Sequence, residues 1–95
     1  MDSDSDTVLA RVRVSFVAKA APRAATIRSA IVADDRQSAL FLAHQLNGMA
    51  GTFGFDSIGD EAACLEAAIT SGRSWHETAA KLATSLEQMA ERKSC

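Results

Sequence analysis

The fold is decided by residues 36–52, which have the sequence RQSALFLAHQLNGMAGT. Apolar side chains recur in this stretch in steps of three and one residues, which match the turns of an α-helix, and the pattern continues to Phe53. These side chains are Ala39, Leu42, Ala43, Leu46, Met49, Ala50 and Phe53. A seam of this length is typical of a helix that packs inside a bundle. The stretch therefore predicts a helix from about Arg36 to Thr52 with one side buried.

The opposite side of this predicted helix carries a histidine. At about 100° per residue, His44 points about 170° away from the centre of the apolar seam. Gly48 and Gly51 share that side, although glycine inside a helix costs about 1 kcal/mol relative to alanine. They would leave the space beside the imidazole free of side chains. The other residues on this side are Gln37, Leu40 and Phe41, with Asn47 at its edge.

The segments before and after this helix also have helical patterns. We predict a helix from about Thr7 to Ala20 and another from Pro22 to about Val32, with the proline at its first position. Two further helices follow, one between Gly54 and Gly72 and one from residue 74 towards the C-terminus. Short connections favour antiparallel neighbours. The sequence therefore predicts an all-α fold, an up-down antiparallel four-helix bundle with an additional N-terminal helical segment.

Composition agrees with a small helical domain and excludes several classes of function. Of the 95 residues, 19 are alanine, which favours helices. The net charge of −2 argues against non-specific binding to nucleic acid. No apolar run is long enough to span a membrane, and the acidic start does not resemble a signal peptide. Cys64 and Cys95 match no metal-binding or disulfide pattern, so we expect a cytoplasmic protein.

The domain boundaries follow from the same patterns. Residues 1–6 are acidic and polar, and we expect them to form a disordered tail. Residues 7–95 would then form the bundle. A start methionine and a charged C-terminus favour a protein that stands alone.

Residues 43–50, Ala-His-Gln-Leu-Asn-Gly-Met-Ala, resemble the core motif of the histidine-containing phosphotransfer (HPt) domain, A-H-x-L-K-G-x-A. That family has a glycine several residues later, then a hydrophobic position and a C-L-E-like pattern in the next helix. The corresponding residues here are Gly54, Ile58 and Cys64-Leu65-Glu66. Residues 16–35 resemble the first helices of the family and the acidic turn before its histidine helix. The resemblance extends over about residues 14–90.

The resemblance implies a phosphoryl carrier in a two-component phosphorelay. His44 would accept a phosphoryl group from the aspartyl phosphate of a receiver domain, or from a histidine kinase, and pass it to a response-regulator receiver. Asn47, Gly48 and Gly51 would neighbour the phosphoryl group, and Gln37, Leu40 and Phe41 would dock the partner. The chain would be a carrier without an ATP site of its own, not an enzyme. It would need no cofactor, because Mg²⁺ would be bound by the partner, and we expect a monomer that binds no metal, nucleic acid or membrane.

One residue departs from the family pattern. Asn47 stands where the family usually has a lysine, and an amide supplies no positive charge to a phosphoryl group. We expect transfer to persist but to be weaker or more selective for the partner. Two alternatives stay open: a degenerate bundle that binds receivers without being phosphorylated, and a structural bundle that self-associates through Leu40 and Phe41. Glu66 would be a solvated or helix-pairing charge, His76 would have no role, and Cys64 would lie in the core.

Overall fold

The structure is a computed structural model that describes the backbone of residues 2–94 and the side chains of residue 8 and residues 10–91. Helices α2 to α5 form an antiparallel bundle, in which α3 packs against α2 and α4, and α5 packs against the same two helices. Helix α1 is the additional N-terminal segment. The predicted fold class is therefore confirmed. The helices are α1 (Asp2–Ala18), α2 (Ala20–Ala33), α3 (Arg36–Phe53), α4 (Asp56–Thr70) and α5 (His76–Ser94).

The core is built from leucines, isoleucines, one tryptophan and one phenylalanine, with alanines between them. The apolar seam of α3 is buried as predicted at five positions, whereas Met49 and Phe53 are partly buried. Alanine takes little space, so the helices approach closely around the larger side chains. The largest fully buried side chains are Trp75, Ile27, Leu46, Leu65, Leu82 and Leu86. Cys64 is exposed, which corrects the prediction that it lies in the core.

The break between α1 and α2 falls earlier than predicted. Helix α1 ends at Ala18, and Lys19 is the N-cap of α2, so Pro22 is its third residue and not its first. The first helical N–H groups have no acceptor within their own helix, so a proline is tolerated throughout the first turn. The helix therefore starts before the proline without losing a hydrogen bond.

Helix α1 also begins earlier than predicted, at Asp2 instead of about Thr7. The backbone of residues 2–6 is helical where a disordered tail was expected. Acidic residues favour the positive end of a helix dipole, which is consistent with this start. That residues 1–6 stand apart from a domain over residues 7–95 remains a prediction, and Met1 and Cys95 lie outside the described residues.

Two turns fix the position of α3. Asp34 adopts the left-handed conformation with φ 53°, and the Asp35 carboxylate accepts a hydrogen bond from the Ser38 N–H at 3.2 Å. The acidic turn therefore caps α3. At the other end, Gly54 has φ 84°, and the Arg13 Nε–H donates to the Phe53 carbonyl at 2.8 Å. The positive charge of Arg13 thus interacts favourably with the negative end of the α3 helix dipole.

Candidate functional site

His44 stands on the outer face of α3, about midway along the helix. Its side chain is 77% exposed, and Gln37, Asn47, Gly48 and Gly51 are exposed on the same helix. The structure therefore brings the sequence-predicted residues onto one surface. Phe41 is 66% exposed, which is unusual for a large apolar side chain. Leu40 differs from the expectation, because it is half-buried and packs against the core.

A carboxylate from α4 contacts the imidazole of His44. The His44 Nδ1 atom lies 3.0 Å from Glu66 Oε2, and the Glu66 side chain is 28% exposed. An ionised carboxylate only accepts hydrogen bonds, so the contact requires a proton on Nδ1. A neutral ring then has its lone pair on Nε2. The arrangement orients the ring and selects the nitrogen that is free to react.

The antiparallel packing of α3 and α4 brings these two residues together. A Cβ atom built on Gly59 of α4 would lie 3.6 Å from the Ala50 Cβ atom and 3.7 Å from the Gly51 nitrogen. From His44 to Gly51 the chain advances seven residues along α3, and from Glu66 to Gly59 it goes back seven residues along α4. The same register therefore makes the close contact at Gly59 and the hydrogen bond at His44.

The surface beside His44 is open. A Cβ atom built on Gly48 or on Gly51 would meet no atom within 4 Å. These glycines therefore do not admit a neighbouring helix. Gly59 makes the close helix approach instead. The two glycines on α3 leave a clear approach to the imidazole.

The family model of the Hpt domain matches residues 11–93. The chain belongs to the Hpt domain family. Such domains have a phosphotransfer role in two-component signalling, and they carry phosphoryl groups without an ATP site of their own. Members of the family interact with receiver domains and kinases. No curated protein and no solved structure matches the chain significantly.

Sequence reasoning missed the part that Glu66 plays in this Hpt domain. The residue lies within the Cys-Leu-Glu pattern that resembles the family, but it was interpreted as a solvated or helix-pairing charge. Helical spacing places residues on a face, and it does not show which side chains meet across two helices. The only available signal was the seam of α4, which puts Glu66 next to its buried stripe.

The two arginines of α2 in this Hpt domain contact groups other than His44. The Arg28 guanidinium pairs with Glu87 on α5, with nitrogen–oxygen distances of 2.7 and 2.8 Å. This hydrogen bond raises the pKa of Arg28 and lowers the pKa of Glu87. The Arg23 guanidinium lies 5.1 Å above the Phe16 ring, and burial lowers its pKa. Neither arginine is directed at His44.

A second histidine–carboxylate pair lies at one end of the bundle. His76 Nε2 is 2.8 Å from Asp34 Oδ1, and the His76 ring stacks on Trp75 with centroids 4.2 Å apart. This pair joins the turn before α3 to the start of α5. His76 was expected to have no role, and its contacts here are with structural neighbours.

The remaining features of the described residues do not add a second kind of site. An open groove of about 800 Å³ lies between α1, α4 and α5, and its lining includes Arg13, Phe55, Glu61 and Met89 but not His44. No group of three His, Cys, Asp or Glu side chains in the described part of the chain is arranged to hold a metal ion. None of the helices described is long and apolar enough to cross a membrane.

Proposed function

We propose that His44 accepts a phosphoryl group on Nε2 from the aspartyl phosphate of a receiver domain, or from a histidine kinase, and passes it to a response-regulator receiver. The observation that carries this proposal is the exposed His44 ring, held at Nδ1 by Glu66 at 3.0 Å. The family indicates the class of reaction, and the contact at Nδ1 supports Nε2 as the reacting nitrogen.

The contact with Glu66 suits both directions of transfer. In the forward step the Nε2 lone pair attacks phosphorus, the bond from phosphorus to the aspartate oxygen breaks, and the electron pair stays on that oxygen. The proton on Nδ1 remains in place, so the phosphorylated ring is positively charged and the Glu66 carboxylate balances that charge. In the reverse step the ring leaves as a neutral imidazole. Phosphoryl transfer depends mainly on positioning and charge stabilisation, and Mg²⁺ on the partner would supply part of the latter.

The surface around His44 suits docking by a receiver domain. Gly48 and Gly51 leave room for the partner's aspartate to approach in line with Nε2. Phe41 offers exposed apolar area beside this opening, and Gln37 offers an amide. Leu40 contributes less than the sequence predicted because it is half-buried. The partner would therefore contact mainly the Phe41 side of α3.

A second candidate function is binding of a receiver without phosphorylation. Asn47, one helical turn from His44, is exposed and supplies no positive charge to a phosphoryl group. A bundle that only sequesters receivers would need the docking surface and not the Nε2 nucleophile. The Glu66 contact favours transfer, since simple binding gives no reason to orient the imidazole.

Phosphotransfer from a panel of purified receiver domains, labelled with [³²P]acetyl phosphate, tests the proposal. The wild-type chain should acquire label that is acid-labile and alkali-stable, and His44→Gln should acquire none. His76→Gln is a matched control, because it removes a histidine that also contacts a carboxylate, and it should be labelled like the wild type. Label retained on His44→Gln, or lost from His76→Gln, would contradict the assignment of the site.

The remaining properties of the proposal follow from this role. The chain would be a cytoplasmic phosphoprotein, because its partners present their aspartates and histidines in the cytoplasm. It would act as a monomer, since the surface around Phe41 would be needed for the partner. Sedimentation at concentrations above those of the transfer assay would detect self-association through that surface.

A further inference from the structure

In the described part of the chain, no lysine or arginine makes a hydrogen bond or an ion pair with His44 or Glu66. Residues 37–72, which include most of α3 and all of α4, have no lysine or arginine. Arg36 is eight residues from His44 on the same helix, a rise of about 12 Å. Lys81 is on α5, which packs against α2 and α4. Of the two arginines on α2, Arg28 pairs with Glu87, and Arg23 contacts Phe16 and Met49.

The positions that follow His44 on the same face of the helix are those three, four and seven residues later. They hold Asn47, Gly48 and Gly51, an amide and two residues without side chains. A phosphoryl group on a side chain carries a charge of about −1.5 to −2. The Glu66 carboxylate, at Nδ1, balances the ring and offers nothing positive to the phosphoryl oxygens. The phosphoryl charge would therefore be compensated only by solvent or by the partner.

We propose that phosphorylated His44 is a net donor, so that the transfer equilibrium lies on the side of the partner's aspartate. This inference rests on the proposed function. In the favoured step an aspartate oxygen of the receiver attacks phosphorus, the bond between phosphorus and Nε2 breaks, and the electron pair returns to Nε2. The carrier would thus hold phosphate briefly and would deliver it to a receiver that brings its own cations.

The residue at position 47 determines how far the transfer equilibrium lies towards the receiver. A lysine there would reach the phosphoryl oxygens across one helical turn. Two unit charges 4 Å apart interact in water by an amount that corresponds to about a fivefold change in an equilibrium constant. For an exposed site, with screening by salt, we expect Asn47→Lys to increase the equilibrium ratio of phospho-His44 to phospho-receiver by about three- to tenfold.

The test measures how ³²P distributes between the chain and the receiver domain that labels it fastest, in an equimolar mixture with Mg²⁺. The wild type should carry the minor share of the label, and Asn47→Lys should raise that share. Gln45→Lys is the matched control, since it adds the same charge on an exposed position that points about 100° away from His44. It should leave the distribution within twofold of the wild type. The gain from Asn47→Lys should also shrink in 0.5 M salt.

The outcomes separate this inference from the proposed function. Label that remains mainly on wild-type His44, an unchanged ratio in Asn47→Lys, or equal gains in both lysine variants would overturn the inference while phosphorylation of His44 stands. The absence of label from the wild type with every receiver would contradict the proposed function, and the inference with it.

Discussion

At the scale of single residues, the account depends on the pairing of His44 with Glu66. The sequence indicated that His44 faces outward, because its angle from the apolar seam follows directly from helical geometry. It did not indicate the partner at Nδ1, which lies 22 positions away in the chain and depends on the register of two helices. The exposure of Phe41 was predicted, whereas the partial burial of Leu40 required knowledge of the packing.

Removing the Glu66 charge should slow phosphoryl transfer. We expect Glu66→Gln to lower the transfer rate about tenfold, since a hydrogen bond to a charged group contributes about 1.5–3 kcal/mol. Initial rates of ³²P transfer from a receiver measure the loss. In ¹⁵N spectra of the neutral ring, the wild type should show the proton on Nδ1, and Glu66→Ala should lose that preference. Asp60→Asn is the control, because it removes a negative charge from the same helix at a residue that does not contact His44. Equal transfer rates in the wild type, Glu66→Gln, Glu66→Ala and Asp60→Asn would exclude a role for Glu66.

At the scale of helices, the periodicity of apolar residues predicted which segments are helical but not where each helix begins and ends. The seam of α3 follows from the spacing of its apolar residues, and the helix lies at Arg36–Phe53, close to the predicted range. The position of Pro22 within α2 did not follow, because a proline fits anywhere in a first turn. Helix α1 is held against the bundle by a ring contact, with the Phe16 and Phe55 centroids 4.8 Å apart.

The glycines of α3 should lower the stability of the fold and keep the approach to His44 open for the partner. Gly48→Ala should raise the free energy of unfolding by about 0.5–1 kcal/mol, because a Cβ atom there meets nothing and alanine has the higher helix propensity. The same variant should slow transfer, since the methyl group stands one turn from His44. Denaturant unfolding and transfer rates measure the two effects.

Gly54→Ala is the contrasting variant. Its φ of 84° disfavours a side chain, and a Cβ atom there would lie 2.6 Å from an Arg13 nitrogen. We expect it to lower the free energy of unfolding by about 1–3 kcal/mol. A Gly48→Ala variant that is less stable than the wild type would show that this glycine serves the fold after all.

At the scale of the whole molecule, polar contacts tie the bundle together and make its stability depend on pH. Arg28 joins α2 to α5 through Glu87, and its hydrogen bond lowers the pKa of that carboxyl. Hydrogen bonds from Ser38 lower the pKa of Asp35 at the start of α3. The bundle topology itself was predictable from short connections, but these long-range pairs were not, since any exposed carboxylate has many possible partners.

Acid should destabilise the bundle in part through these two carboxyls. Each has a lower pKa in the folded than in the unfolded chain, so its contribution is complete above the unfolded value and is lost as the pH falls through the folded value. We expect the free energy of unfolding to decrease as the pH falls below about 4 to 5. Urea titrations at several pH values should show a shallower decrease for Glu87→Gln than for the wild type and for Asp60→Asn. An unchanged pH dependence in Glu87→Gln would mean that the Arg28 pair adds nothing to stability.

The most direct test of the central claim identifies the phosphorylated atom. A phosphorylated receiver domain would transfer its phosphoryl group to the uniformly ¹⁵N-labelled chain. Long-range proton–nitrogen correlations would then be recorded for the histidine rings. The account predicts one phosphorylated ring, that of His44, with phosphorus on Nε2 and the proton on Nδ1. Phosphorus on Nδ1 of His44, or on His76, would contradict it.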